Sequence, residues 1–449
     1  MESRKGSEQF DMAGKAATAV KHKVIIRKCP DYENPSRIRS IVAEGMEELG
    51  AKPYGKVLLK PNVVFAHRRY SRFSYTHPAV IEALLDELAA RPEVERIIIG
   101  ERTAIYMPTR YNFAVAGYNR FRRKPKVKIC FFDGDALVEV PFKKGVYHKS
   151  LRLSRTFVES DYKLYAPKLK HHMTSKLTCA IKLNIGICDH KERLQGHDYH
   201  LEEKIADLYE VGYPDFIVVD AVTIGQQCEM VAKPLSFGVI MMGTSGVAID
   251  SVAARLIGFD PNEIDHLRIA RSRGWEPVSD DNIEIKSEVP LDELRAKTKN
   301  LDRKFSDLRE LDTPLRIYLG NYPGGNDICH GGCVNMLKGA LAVFEAYKPG
   351  GIKQAQDNAI VIGEYEGDVD SHGHTILLVG DCTKIKGKVT GKTKRIKGCP
   401  VGIPCFSAFG PFYCKLPNVY MDRDYFFKFP YYYVVSSAVK FINRTLHLG

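Results

Sequence analysis

The sequence predicts an α/β fold: a mostly parallel twisted sheet flanked by helices, followed by a C-terminal α/β segment that contains cysteines. The first observation is a strand–helix–strand unit, in which apolar runs at 57–59 and 96–99 flank a helix that starts near residue 76. Such a unit within about 45 residues is a βαβ motif, whose strands lie parallel under a covering helix. The second observation is the pair of strongly apolar runs at 216–220 and 238–243, which are typical of strands buried on both faces.

The remaining elements follow from apolar periodicity and from turn residues. Further strands are expected at 24–26, 127–132, 316–319, 360–363 and 376–380, and a hairpin or edge strands at 136–156. Helices are expected at 35–49, 76–88, 247–257, 260–274, 293–311 and 333–347. We divide the chain into a flexible tail (1–22), an α/β domain (23–300) and a cysteine-bearing C-terminal segment (301–449).

Composition limits the possible function classes. The 449 residues include 66 Lys and Arg against 54 Asp and Glu, which gives a formal net charge of +12. This excess favours anionic partners such as phosphates and carboxylates, or an acidic redox protein. No zinc-finger or RNA-recognition signature is present, so we do not expect nucleic-acid binding. Neither an N-terminal signal nor an apolar run of about 20 residues is seen, so we expect a cytoplasmic protein without a membrane span.

Four cysteines in the last third predict a metal centre. Cys329 and Cys333 lie four residues apart at the predicted start of a helix, a spacing that would put both sulfurs on one face. Cys382 follows a Gly-Asp pair, and Cys399 precedes a proline. In a cytoplasmic protein such thiols are better candidates for metal ligands than for disulfides. The helix start should lower the thiol pKa, and nearby glycines would let the backbone approach a cluster. We predict that these four residues bind a [4Fe–4S] cluster.

Two alternatives for these cysteines remain open. Zinc also binds four thiolates, but its ligands usually come in close pairs, whereas these four span about 70 residues. The cysteines could instead be unligated. A radical-SAM site is not expected, because its third cysteine would fall on Met336. Cys405 and Cys414 are spare candidates for a ligand position.

Polar residues in the α/β part predict a site for an anionic or carbonyl-bearing small molecule. Lys60 and Asn62 follow a buried strand, at the edge where open α/β sheets bind ligands. Lys182 has a similar setting, and His190 and His197 follow it. Together these five residues suit anion binding and one proton transfer, and we predict them as catalytic. The alternatives are a polar loop with surface lysines, or a metal bound by histidines. Further candidates of the same kind are Lys168, His171, His172, Asn184, His200, Asp220 and Asp250.

The other motifs are weaker. Residues 387–393 fall one residue short of a Walker A loop, and 243–246 does not form a Gly-x-Ser-x-Gly elbow. No Gly-x-Gly-x-x-Gly fingerprint is present. The aromatic run at 425–433 predicts packing against the core, with an exposed partner surface as the alternative.

Several of these motifs together resemble the DUF362 family. They are residues 58–62 (Leu-Leu-Lys-Pro-Asn), 76–78 (Thr-His-Pro), 180–186 (Ala-Ile-Lys-Leu-Asn-Ile-Gly), His197, 217–221 and 246–255. The resemblance covers about residues 24–274. It implies iron–sulfur chemistry, because many members carry added cluster-binding cysteine segments, and an α/β fold similar to proteins that bind small anions. This chain lacks the ferredoxin run Cys-x2-Cys-x2-Cys-x3-Cys-Pro, so any cluster must use the dispersed thiols.

The leading hypothesis is an iron–sulfur redox protein, either a reductase or an electron-transfer component. Electrons would pass between the cluster and an anionic small molecule, and a redox partner protein would supply or accept them. The alternative is a non-redox enzyme or binding protein with structural zinc or free cysteines. An assembly or scaffold protein is a third class.

Overall fold

Buried strands in the first two thirds of the chain form the main sheet. The computed structural model describes residues 21–194, 197–277 and 279–445, so residues 1–20 of the predicted tail lie outside the described residues. The strands in this part are β1 (His22–Lys28), β2 (Gly55–Pro61), β3 (Val94–Glu101), β4 (Val127–Phe131), β5 (Leu137–Pro141), β6 (Ser150–Ser154), β7 (Tyr162–Ala166), β8 (Lys168–His172), β9 (Lys176–Thr178), β10 (Phe216–Gln226), β11 (Lys233–Gly243) and β12 (Ile283–Ser287).

The main sheet is mixed but mostly parallel. Its strand order is β12-β1-β11-β10-β7-β2-β3-β4, and β8 and β9 extend from β10. Along this path the neighbours are parallel except at β11, which is antiparallel to both β1 and β10. Strands β5 and β6 form a separate antiparallel hairpin, as the sequence predicts.

Helices cover both faces of the main sheet. They are α1 (Pro35–Glu48), α2 (Pro78–Ala89), α3 (Thr109–Val115), α4 (Arg155–Val158), α5 (His190–Leu194), α6 (Leu201–Val211), α7 (Gly246–Leu256), α8 (Asp265–Ser272) and α9 (Leu291–Thr298). Side chains alternate between the faces: Leu58 packs with α6, α7 and α8, whereas Val57 and Leu59 pack with α1, α2 and α3. Because both faces are buried, the strands are continuous apolar runs. The predicted α/β fold class is confirmed.

The last third forms a second, smaller α/β unit around a parallel sheet. Its elements are β13 (Arg316–Leu319), α10 (Asn335–Tyr347), β14 (Ala359–Tyr365), β15 (Val369–Asp370), β16 (Ile376–Ile385), β17 (Val389–Thr390), β18 (Thr393–Ile396), α11 (Ile403–Cys414) and α12 (Phe429–Thr445). Strands β13, β14, β16 and β18 are neighbours in that order, and all pairs are parallel. Phe65 and Met173 of the first part pack into the same apolar cluster as α10, so this cluster joins the two parts.

Two predicted elements differ from the structure. Asp220 does not end a strand, because β10 continues through a bulge to Gln226. The helix predicted at 293–311 ends at Thr298. Beyond it, the Asp302 backbone exchanges hydrogen bonds with Gln226 and Gln227 at the end of β10, and these contacts replace the helical ones. None of the described helices has both the length and the apolar composition needed to cross a membrane.

Candidate ligand cavity and thiol cluster

A cavity of about 370 Å³ lies at the carboxyl ends of β2 and β3, where the sequence predicts a ligand site. Its walls also include a 3₁₀ turn (Lys182–Ile187) and parts of α10, α11 and α12. The walls are mostly apolar, with a small group of polar side chains, which is the usual composition of a small-molecule site. The central polar residues are Asn62, Glu101, Lys170, His172, Lys182, His197 and Glu229.

Lys60 lies beneath the cavity and forms a buried ion pair with Glu101. Its Nζ donates hydrogen bonds to Glu101 Oε1 and Oε2 at 2.9 and 2.8 Å, and the two side chains are 0% and 3% exposed. Burial raises the pKa of Glu101 and lowers that of Lys60, while their mutual attraction opposes both shifts. Glu101 lines the cavity and Lys60 does not, so Lys60 positions Glu101 rather than contacting a ligand.

The missing side chain of Gly186 makes room for this ion pair. A Cβ at Gly186 would lie 1.9 Å from Glu101 Oε1 and 2.8 Å from Lys60 Nζ. Glu101 is absent from the sequence-predicted site. The signal for it is its place as a carboxylate at the end of a buried apolar strand, next to the strand that ends at Lys60 and Pro61.

Asn62 is held by a second buried lysine. Lys170 Nζ donates to Asn62 Oδ1 at 2.8 Å and to the carbonyl oxygens of Ser74 and Glu229 at 2.7 and 3.1 Å. These acceptors occupy the three N–H groups of the ammonium. Burial lowers the pKa of Lys170 to about 7. Lys170 therefore fixes the Asn62 amide at the wall of the cavity.

Lys182 is a cavity-lining lysine whose ammonium could bind a ligand. It begins the 3₁₀ turn and lines the cavity. Among the described residues, its ammonium forms no hydrogen bond or ion pair. Burial lowers the pKa of Lys182, and the more distant carboxylates of Glu229 and Glu202 oppose that shift. The sequence predicts a strand end at Lys182, whereas Lys182 lies on a turn in the structure.

Histidine and glutamate side chains complete the polar lining. His172 Nδ1 accepts from the backbone N–H groups of Thr174 and Ser175, so its Nε2 carries the proton and faces Glu229 Oε1 at 3.5 Å. Burial keeps the pKa of His172 and of His197 well below the usual value, so both are neutral. Within the described residues, His197 Nδ1 and Glu229 Oε2 are buried without a hydrogen-bond partner. Both atoms are candidates for ligand contact.

Other predicted site residues have structural partners or cannot be placed. Asn184 Oδ1 accepts from Tyr165, and Asp250 accepts the backbone N–H groups at 180 and 181. Asp220 forms an ion pair with Lys168 at 2.9 Å, away from the cavity lining. The His190 side chain lies outside the described residues, although its backbone begins α5.

Two of the further histidine candidates also lie away from the cavity lining. His171 Nδ1 contacts the Gln227 carbonyl oxygen at 2.9 Å, and its Nε2 contacts the Ser306 hydroxyl at 3.2 Å. The His200 ring stacks on Tyr147 with 4.3 Å between the ring centroids. Both therefore belong to the surrounding fold rather than to the ligand site.

The four predicted thiols come from different elements but are neighbours in space. Cys329 precedes a π-helical turn (His330–Val334), Cys333 lies in that turn, Cys382 is in β16, and Cys399 follows β18. Burial is the main cause of the raised pKa of Cys329, and the thiols of Cys333 and Cys399 raise it further. The pKa of Cys333 is also raised mainly by burial and further by Cys382 and Cys399. Cys382 likewise raises the pKa of Cys399. These interactions connect all four thiols.

Backbone groups approach the sulfurs closely. The Val401 N–H donates to Cys333 Sγ at 3.4 Å, and the Gly332 N–H donates to the Cys329 carbonyl oxygen at 3.3 Å. A Cβ at Gly332 would lie 2.6 Å from Cys329 Sγ, so only glycine fits there. Gly380 has φ of +101°, and its Cβ would lie 3.1 Å from Cys333 Sγ.

The spacing of the sulfurs bears on the size of the centre they could hold. A tetrahedral zinc ion places its thiolate sulfurs about 3.8 Å apart. In the part of the chain that the structure describes, no three of these sulfurs all lie within 4.8 Å of one another. In every set of three, at least one pair of sulfurs is therefore farther apart than two thiolates on one zinc ion.

Two expectations about Cys329 and Cys333 are wrong. They do not share a helix face, because Gly332 between them has non-helical φ and ψ of −90° and −123°, and α10 begins only at Asn335. Their pKa values are raised, not lowered: burial raises the pKa of Cys329 to about 12 and that of Cys333 to about 11. Desolvation of the thiolate outweighs any effect of the helix start.

The thiol cluster and the cavity share a wall. A Cβ at Gly331 would lie 2.0 Å from the Asp198 carbonyl oxygen, so the π-helical turn packs directly on the backbone beside His197. His197 lines the cavity, as do Asn335 and Met336 in the first turn of α10. The turn that contains Cys333 therefore packs against residues of the cavity wall.

The spare cysteines lie apart from this cluster. Cys405 is exposed at the start of α11 and interacts with Tyr106 and Tyr420. Cys414 is buried at the end of α11, and burial raises its pKa to about 12.

Comparisons with known proteins find similarity in the first part of the chain. The sequence model described as "Domain of unknown function (DUF362)" matches residues 57–255. The thylakoid-associated protein sll1697 of Synechocystis sp. is 23% identical over 273 residues, which are 57% of this chain and 81% of that protein.

Two solved structures are also similar to this chain. The first, a protein from Thermotoga maritima, is 14% identical with a TM-score of 0.32, over 49% of this chain and 57% of that one. The second, the lactate racemase apoprotein from Thermoanaerobacterium thermosaccharolyticum, is 12% identical with a TM-score of 0.34, over 78% of this chain and 71% of that one. The matched residues 57–255 run from β2 to α7 and contain Lys60, Asn62, Lys182 and His197, so the resemblance to the DUF362 family seen in the sequence is confirmed over this part of the chain.

Proposed function

We propose that this protein is an iron–sulfur redox protein in which Cys329, Cys333, Cys382 and Cys399 hold a [4Fe–4S] cluster. Electrons would pass between the cluster and a small molecule in the adjacent cavity. The observation that carries the proposal is that four thiols from separate elements lie close enough to raise one another's pKa, next to the cavity wall. The cluster would supply one-electron transfer, and the protein would supply the ligand site and its protons.

Three features favour an iron–sulfur cluster over zinc. The sulfurs are more widely spaced than a single tetrahedral ion requires. The Val401 backbone N–H donates to Cys333 Sγ, and such hydrogen bonds tune the potential of a cluster. Glycines at 332 and 380 leave space beside the sulfurs. Cys399 is exposed, so a redox partner protein could approach the cluster from that side.

The cavity suggests a ligand with an anionic or carbonyl head and an apolar body. The Lys182 ammonium, which lacks a described partner, and His197 would bind the head group. Glu101 is the carboxyl group best placed to exchange a proton, because burial raises its pKa. The surrounding Met336 and Phe429 would contact the apolar body.

Metal analysis tests the proposal. Protein purified anaerobically, with full cluster-assembly support, should be brown and contain about four iron and four sulfide per chain. Cys382→Ser should lower both contents sharply, whereas the control Cys405→Ser, at an exposed cysteine outside the cluster, should not. A colourless protein, or stoichiometric zinc without sulfide, would refute the cluster.

A non-redox enzyme or binding protein is the second candidate, and the free ammonium of Lys182 favours it independently of the thiols. Under this alternative, Lys182→Ala abolishes ligand binding while Cys382→Ser leaves activity intact. Loss of activity in both variants supports the redox function instead. Retention of function in both would indicate a scaffold.

A further inference from the structure

The ligand cavity changes character between its buried end and its opening. The carboxylates and imidazoles of its wall, including Glu101, His172 and His197, are all buried. The exposed residues of the described wall are three tyrosines: Tyr106, Tyr420 and Tyr433, which are 41%, 38% and 55% exposed. The cavity therefore opens between aromatic rings, and its ionisable side chains lie away from that opening.

This arrangement selects a ligand that enters with its polar group first. The polar group would reach the buried side chains, and the apolar remainder would stay at the opening. A sugar or a nucleotide carries polar groups along its whole length and would leave many of them unpaired against the apolar walls, at a cost in free energy. The volume of about 370 Å³ is near the lower end for small-molecule sites, so it admits one ring system rather than a large cofactor.

The apolar part of the wall favours a flat ring. Four of the chain's 10 methionines line the cavity, together with three aromatic side chains that are at least half-buried. The residues are Met107, Met173, Met230, Met336, Phe65, Tyr425 and Phe429. Thioether sulfurs and aromatic rings gain contact energy specifically from a planar π system, beyond the burial of apolar area. A saturated acyl chain would not make these contacts.

The polar groups suit carbonyl oxygens, because they include N–H donors that face the cavity. The ammonium of Lys182 forms no hydrogen bond or ion pair among the described residues. Lys170 Nζ already binds Asn62 Oδ1 at 2.8 Å, so the group that Asn62 offers to a ligand is its NH2. A ring that carries carbonyl oxygens can accept from both side chains.

We propose that the cavity binds a quinone, with its carbonyl oxygens at Lys182 and Asn62 and its alkyl substituent at the tyrosine-lined opening. This inference rests on the proposed redox function, which delivers electrons one at a time. Quinones accept electrons singly at biological potentials, whereas carboxylates and isolated ketones do not. The quinone is therefore the ring-bearing carbonyl compound that matches both the walls and the proposed electron supply.

Reduction of the quinone to the quinol adds two electrons and two protons, and it converts both C=O groups into C–OH groups. A one-electron donor protein would supply the two electrons in succession. The Lys60–Glu101 pair reaches the cavity through Glu101 and holds one proton that it can transfer, and the Lys182 ammonium holds a second. Protons from solvent would restore both groups after the quinol leaves.

Equilibrium dialysis with ubiquinone-1, a short-chain benzoquinone, tests the inference without any need for iron. The full chain should bind one ubiquinone-1, and equimolar decanoate, an apolar carboxylate, should not displace it. Lys182→Met should weaken quinone binding by about tenfold and keep the circular dichroism and melting temperature of the parent. Lys191→Met is the matched control, because Lys191 is exposed and is not part of the cavity wall. Absence of binding, displacement by decanoate, or equal binding by the parent and Lys182→Met would overturn the inference.

A redox measurement separates this inference from the proposed cluster. Iron-loaded protein, reduced and freed of excess reductant, should convert ubiquinone-1 to one quinol for every two electrons stored. Lys182→Met should slow this reaction by about tenfold at low quinone concentration. Iron-loaded, reduced protein that forms no quinol would overturn the quinone assignment and leave the cluster standing. Colourless protein that still binds ubiquinone-1 in a Lys182-dependent manner would uphold the quinone site and refute the cluster.

Discussion

Replacing Lys60 by methionine isolates the energetic role of the buried ion pair. Methionine keeps much of the side-chain volume but leaves the Glu101 carboxylate without its cation. Both original side chains are essentially inaccessible, and both hydrogen bonds are short, at 2.8 and 2.9 Å. Removing one partner of such a pair costs about 3–5 kcal/mol of stability, because an uncompensated charge stays buried.

The cost should depend on pH with a definite sign. Burial already raises the pKa of Glu101, and loss of Lys60 removes the attraction that opposes this rise. When the pKa of a carboxyl group is higher in the folded state, its contribution to folding stability is fully present below the unfolded pKa of about 4.3. That contribution is lost as the pH rises through the pKa of the folded state. The Lys60→Met variant should thus be nearest the parent at about pH 5 and furthest from it at about pH 8.

Urea unfolding at several pH values measures this effect. The double variant Lys60→Met/Glu101→Gln is the matched control, because it removes both charges and should recover most of the lost stability. A cost below about 1 kcal/mol that does not change with pH would contradict the assignment of a charged, buried pair.

Three further predictions follow from the site. Gly186→Ala should destabilise the protein by about 1–3 kcal/mol in urea unfolding, because the new Cβ overlaps Glu101; unchanged stability would mean that the carboxylate can move. Lys182→Met should weaken binding of anilinonaphthalene sulfonate, an apolar anion, by about tenfold without loss of stability, and the exposed Lys191→Met should leave binding unchanged. Gly332→Ala should lower iron content, because its Cβ would crowd Cys329 Sγ; iron content equal to the parent's would count against this ligand position.

The sequence located the site better than it assigned roles within it. Lys60 and Asn62 end a strand, and parallel strands bring such ends to one edge of the sheet, so their neighbourhood was predictable. Whether Lys60 faces a ligand or supports another residue depends on Glu101 and on the turn that contains Gly186. Those contacts join distant parts of the chain, so no local sequence pattern around Lys60 predicts them. Lys170 and Glu229 were missed for the same reason.

The aromatic run at 425–433 shows a second limit. From the sequence, packing against the core and exposure to a partner are alternatives for the whole run, but the structure divides it. Tyr425 and Phe429 pack on Tyr111, whereas Phe427 and Tyr431 face outward. Helical periodicity could have separated the two rows, although not which row would be buried.

Electron paramagnetic resonance of the reduced protein tests the central proposal most directly. A cluster held by Cys329, Cys333, Cys382 and Cys399 predicts a low-temperature signal of a reduced [4Fe–4S] centre after anaerobic reduction. The signal should be lost in Cys382→Ser and kept in Cys405→Ser. Iron-replete protein that gives no such signal, or the same signal in both variants, would contradict the assignment of the four thiols.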